Sequence, residues 1–97
     1  MSRHRRFHLD HVGHSVTVNV RAGRRIEYEL LVDGKEVGYR RDRRHGHAVQ
    51  LLAGELPGSP ARPFALRIEH PAGDRDAIAC VLELDGAELP LAEATAG

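Results

Sequence analysis

Every second residue of Val16-Thr17-Val18-Asn19-Val20-Arg21 is apolar, and the same period recurs in Ile26-Glu27-Tyr28-Glu29-Leu30, where Val32 continues the set. A period of two places those side chains on one face of a β-strand. No segment sustains the period of 3.6 that an amphipathic helix requires. The N-terminal stretch comes nearest, and its spacing is poor. Two Asp-Gly pairs, Asp33-Gly34 and Asp85-Gly86, sit between such runs. Asp-Gly tolerates the two positive φ angles of a type I′ turn, whose twist matches that of a β-hairpin. The chain is therefore expected to be built from antiparallel hairpins.

Two stretches of the chain resemble each other. Val16 to Tyr39 aligns with Leu66 to Leu91 when Asp76 and Ala77 are treated as an insertion, which brings the two Asp-Gly pairs together and matches Leu30 with Leu82. The inward phase is kept: Ile26, Tyr28, Leu30 and Val32 against Ile78, Cys80, Leu82 and Leu84. A unit of this kind present twice predicts two related three-stranded meanders. The expected fold is all-β, a single antiparallel sandwich of seven to eight strands, with the meanders packed face to face. The boundaries read as an arm or edge strand over 1–13, a first meander over 14–40, a connecting strand and loop over 41–63, a second meander over 64–91 and a flexible tail over 92–97. Val16, Val18, Val20, Ile26, Tyr28, Leu30, Val32 and Val37 are expected in the core, with Leu66, Ile68, Ile78, Cys80, Leu82, Leu84 and Leu89.

The length of 97 residues suits one small domain and leaves no room for separate catalytic and regulatory units. Cys80 is the single cysteine, so no intramolecular disulfide forms. The charged N-terminus is not followed by an apolar run, and the longest apolar run, Ala77 to Leu82, is far short of a membrane span. A soluble, cytoplasmic protein with no membrane contact is expected.

The hairpin segments Ile26-Glu27-Tyr28-Glu29, Val32-Asp33-Gly34-Lys35-Glu36-Val37 and Leu82-Glu83-Leu84-Asp85-Gly86 resemble those of the Fas apoptotic inhibitory molecule family. The resemblance covers residues 14–40 and 64–91. It implies a non-enzymatic β-sandwich that acts through protein contacts. The chain departs from the family's aromatic-rich segment after the first hairpin, where it has Gly38-Tyr39-Arg40-Arg41-Asp42-Arg43-Arg44, and it has no tryptophan. No binding residue is carried over from the family.

Formal net charge is zero, but residues 1–48 carry eleven Arg and Lys against six Asp and Glu, whereas residues 49–97 carry three against eight. Arg40, Arg41, Arg43 and Arg44 form the densest basic cluster and are expected on a loop, as the candidate binding residues. Arginine matches phosphate by bidentate contact, yet the chain offers few stacking aromatics for a single-strand binder: Phe7, Tyr28, Tyr39 and Phe64. The opposed charge of the halves also suits association of one copy with another, and a sandwich's edge strands offer strand addition.

Seven histidines are conspicuous. His45 and His47 share a face if extended; His8 and His11 need a helical turn to do so. Zinc wants four ligands, and no spacing here is an established one, so no metal or cofactor is assigned. Whether His4, His8, His11, His14, His45 and His47 converge stays open. Ser15 follows His14, but neighbours on a strand point to opposite faces. No G-x-S-x-G elbow or phosphate-cradling glycine pattern is present. Cys80 reads as a buried, inert thiol. The sequence thus favours a non-catalytic interaction module that binds an unidentified protein or a second copy. The alternative is a weak nucleic-acid binder using arginine-rich loops. No enzymatic activity is expected.

Overall fold

The structure is a computed structural model, which describes residues 3–43, 48–71 and 77–94. Among these residues there is no helix and there are nine strands: β1 (Arg3–His11), β2 (His14–Ala22), β3 (Arg25–Val32), β4 (Lys35–Arg43), β5 (Val49–Leu56), β6 (Arg62–Glu69), β7 (Ala79–Leu84), β8 (Ala87–Pro90) and β9 (Ala92–Ala94). They form two antiparallel sheets. The first has the order β4-β3-β2-β1-β9, and the second β5-β6-β7-β8. The all-β sandwich is thus as the alternation requires, with one strand more than expected.

Both Asp-Gly pairs form turns with two consecutive positive φ angles: Asp33 51° and Gly34 83°, Asp85 51° and Gly86 79°. A third such turn joins β1 to β2 through Val12 (φ 49°) and Gly13 (φ 78°). Asp33 also ties two turns together. Its carboxylate accepts the Ser15 N–H (2.9 Å) and His14 Nδ1–H (2.8 Å), and these bonds hold the acid below the usual carboxylate range.

The core takes Val16, Val18, Val20, Tyr28, Leu30 and Val32 from the first sheet and Leu66, Ile68, Cys80, Leu82 and Leu84 from the second. Ile26, Ile78 and Leu89 are partly buried against it. Phe7, Leu52, Leu56, Phe64 and Leu91 join the core, although alternation had not singled them out. Burying a side chain of this size contributes about 1.5–3 kcal/mol.

Four expectations need correction. Val37 is exposed: a bulge lies in the β3–β4 pairing, Leu30 facing Gly38 and Leu31 facing Glu36, so Val37 is the extra residue and the inward phase skips it. The N-terminal arm is a full strand, and it is no edge, because Ala92–Ala94 pair with His8 to Arg6 of β1. The tail therefore begins as a strand. The connecting strand and loop expected over 41–63 are narrower, since β4 runs to Arg43, β5 to Leu56, and β6 starts at Arg62.

Strand pairing also departs from the expected alignment of the two stretches. Leu30 faces Val18, and Leu82 faces Leu66, so Leu66 occupies the place of Val18 rather than of Val16. The shift is two residues and keeps every side chain on its face.

Candidate functional site

The candidate arginines lie on a strand and not on a loop. Arg40, Arg41 and Arg43 belong to β4, an edge of the first sheet, and Arg44 lies outside the described residues. Strand alternation separates them. Arg40 is opposite the core residue Tyr28, on the inward phase of the strand, yet it is exposed. Arg41 and Arg43 point from the outer face, opposite Glu27 and Arg25. All three are exposed.

That outer face is a polar network. Asn19, nearly buried on it, accepts His4 Nε2–H (3.2 Å) and Arg6 Nε–H (3.3 Å) and donates to Glu29 (3.0 Å). The Asn19 bond first, then a hydrogen bond with Glu36 and the charge of Arg21, lower the Glu29 carboxyl below its ordinary range. Tyr39 Oη–H donates to Glu27 (2.6 Å), which raises the phenol's pKa and pins an exposed ring beside Arg41. His8 donates to Asp10 from Nε2 (2.9 Å) and accepts the Thr17 hydroxyl at Nδ1 (2.9 Å).

The histidines are thus spread rather than gathered. His4 and His8 stand on the outer face of β1, and His11 faces His14 across the first turn. No group of three or more His, Cys, Asp or Glu with metal-binding geometry occurs among the described residues. His45 and His47 lie outside them.

One polar cluster joins the two sheets. Tyr28 Oη–H donates to His70 Nε2 (2.6 Å), and their rings meet edge to face at 5.9 Å. Burial, and then the Asp42 charge, pushes the phenol up to about 12. Beside it, Gln50 donates to Asp42 (2.7 Å), a bond from β5 to β4. Cys80, also buried, has its thiol pushed up to about 12 by loss of solvent. At neutral pH both groups keep their protons, so the cluster pins the sheets together and holds no activated nucleophile.

The second sheet presents a different outer face. Arg67 stands at its centre and pairs with Glu69 (2.7 Å), Glu88 (2.6 Å) and Glu83, and the carboxylates, Glu88 first, raise its pKa further. Opposite Arg67, on the edge strand β5, is Leu51. β5 is apolar on both faces, burying Leu52 and Leu56 beside Gln50. Gln50 is 4% exposed, whereas Val49 and Leu51 on its outer face are 47% and 55% exposed. Ala53 continues that outward row and faces Ala65 on β6, while Arg67 stands between Leu51 and Val81 of β7. An apolar strip with an acidic surround results. An open depression of about 520 Å³ lies beside it, between β6 and the β7–β8 hairpin, with Glu83, Asp85 and Glu88 on its lip.

Sequence reasoning missed the strip because Val49-Gln50-Leu51-Leu52 is apolar in both phases, so pattern alone does not say which side turns inward. The lone polar residue, Gln50, was the available signal, and it points the wrong way. The pairing of Arg25 with Arg43 needed the bulged register of β4, which no local motif announces.

Comparison with known proteins gives no matching family model, no matching curated protein and no matching solved structure. No helix among the described residues is long and apolar enough to cross a membrane.

Proposed function

We propose that the protein is a non-catalytic interaction module that binds another protein on the outer face of its second sheet. The carrying observation is the outward face of β5, which shows Val49, Leu51 and Ala53 to solvent. Antiparallel sheets with one solvated face ordinarily turn polar residues outward. Departures from that rule concentrate at functional surfaces, and contiguous exposed apolar surface marks contact sites. Glu55, Glu69, Glu83 and Glu88 surround the strip, with Arg67 among them. The fitting partner is therefore a protein segment with an apolar centre and basic flanks. The hairpin resemblance to a family acting through protein contacts supports the same reading.

The test is an affinity capture from the native host's lysate, nuclease-treated, with the intact protein and its Leu51→Lys variant as baits. Leu51 is exposed, so the substitution is expected to change stability by no more than about 0.5 kcal/mol. A defined protein held by the intact chain and lost from the variant supports the surface. Equal capture by both baits refutes it. Sedimentation of the intact chain alone then separates a foreign partner from a second copy.

A further inference from the structure

Four of the described arginines are matched by carboxylates. Arg5 pairs with Glu93, Arg21 with Glu29, Arg62 with Asp85, and Arg67 with three glutamates. Among the described residues, by contrast, Arg25, Arg41 and Arg43 have no carboxylate in ion-pair range. All three are exposed on the outer face of the first sheet. Arg25 and Arg43 stand directly opposite each other across β3 and β4. Two like charges in register are mutually destabilising, and an anion between them removes that cost. The geometry therefore selects for a ligand with negative charge.

The arrangement also says what kind of anion. Tyr39, Arg41 and Arg43 occupy successive outward positions of one edge strand, at steps of about 6.8 Å. That step is close to the spacing of phosphates along an extended polynucleotide. The Tyr39 ring lies at the end of the row, 49% exposed, as a base-stacking platform requires. The face is a sheet surface bearing no helix or long ribbon to enter a duplex groove. We propose that the outer face of the first sheet, along β4, binds single-stranded nucleic acid, with phosphates on Arg25, Arg41 and Arg43 and a base stacked on Tyr39. This site lies on the opposite side of the sandwich from the protein-binding strip and does not depend on it.

The test is fluorescence anisotropy with a labelled oligothymidylate of about 20 nucleotides. Three neutralised phosphates predict a slope of about −2 in log affinity against log salt, hence a loss of roughly twentyfold between about 50 and 200 mM. The Arg41→Gln/Arg43→Gln double variant is expected to weaken binding at least tenfold and to flatten the slope to about −0.7. Tyr39→Ala is expected to lose about fivefold or more, and Tyr39→Phe, which keeps the ring, to bind nearly as the parent. Circular dichroism verifies that each variant is folded. No binding at the lower salt overturns the proposal, as does unchanged affinity in the double variant. Equal affinity for duplex DNA or heparin also overturns it, because the surface is then a general polyanion binder. Loss in both Tyr39 variants removes the stacking role.

Discussion

Val12 is a β-branched residue held at φ 49°, a conformation that crowds Cβ against the backbone. It is 71% exposed, so no packing compensates for the strain. Its turn has the geometry that Asn-Gly adopts most readily. Val12→Asn is expected to raise stability by about 1 kcal/mol, read as a higher urea midpoint; an equal or lower midpoint refutes the strain. Residues of this kind explain what a sequence reader sees and misses. Asp33-Gly34 and Asp85-Gly86 announce their turns by composition, whereas Val12-Gly13 makes the same turn with a residue that argues against it. Val37 looked like core because it is apolar and two positions past Lys35, and a one-residue bulge was enough to turn it out.

At the scale of the element, β5 and β6 meet where Gly54 faces Phe64. A Cβ at position 54 would lie 2.7 Å from the ring, so the absence of a side chain makes room for a buried aromatic. Gly54→Ala is expected to cost about 1–3 kcal/mol by overpacking, measured by thermal or urea unfolding. An unchanged midpoint would show that Phe64 has somewhere to go. The strands clearest in the sequence are those whose own residues alternate, β2, β3, β6 and β7. β1 was obscure because its inward face carries Arg3 and Arg5, and Arg5 is acceptable there through its position over the Phe7 ring (5.5 Å) and its pair with Glu93. β9 holds only Ala92, Glu93 and Ala94, and its extended form comes from pairing with β1. The candidate surfaces followed the same division. The arginine cluster was visible as composition, but which arginines share a face depended on long-range register.

For the whole molecule, the bond between Tyr28 and His70 is a tie between sheets, and it carries a pH dependence. Burial, with a smaller contribution from Arg5, holds His70 below its ordinary value of about 6.5. The unfolded chain therefore takes up a proton at a higher pH than the folded one. The contribution of neutral His70 is complete above about 6.5 and declines as pH falls from there toward the folded value. Urea midpoints at about pH 7.5 and 5.5 should drop toward acid, and the drop should shrink in His70→Gln. A variant with the full acid-side drop would remove His70 as its source.

The division of charge along the chain has become a division in space. β1–β4 with their turns and β9 carry ten Arg and Lys against seven Asp and Glu, whereas the described residues from β5 to β8 carry two against five. The sandwich is a thin plate with a dipole directed through its thickness. A molecule of zero formal charge should pass through an ion exchanger, but a plate presents one surface at a time. At pH 7 and low ionic strength it is expected to be retained on both cation- and anion-exchange resins, by opposite faces, and to elute from each as salt shortens the reach of the field. Arg41→Gln/Arg43→Gln should release it from the first resin and leave the second unaffected.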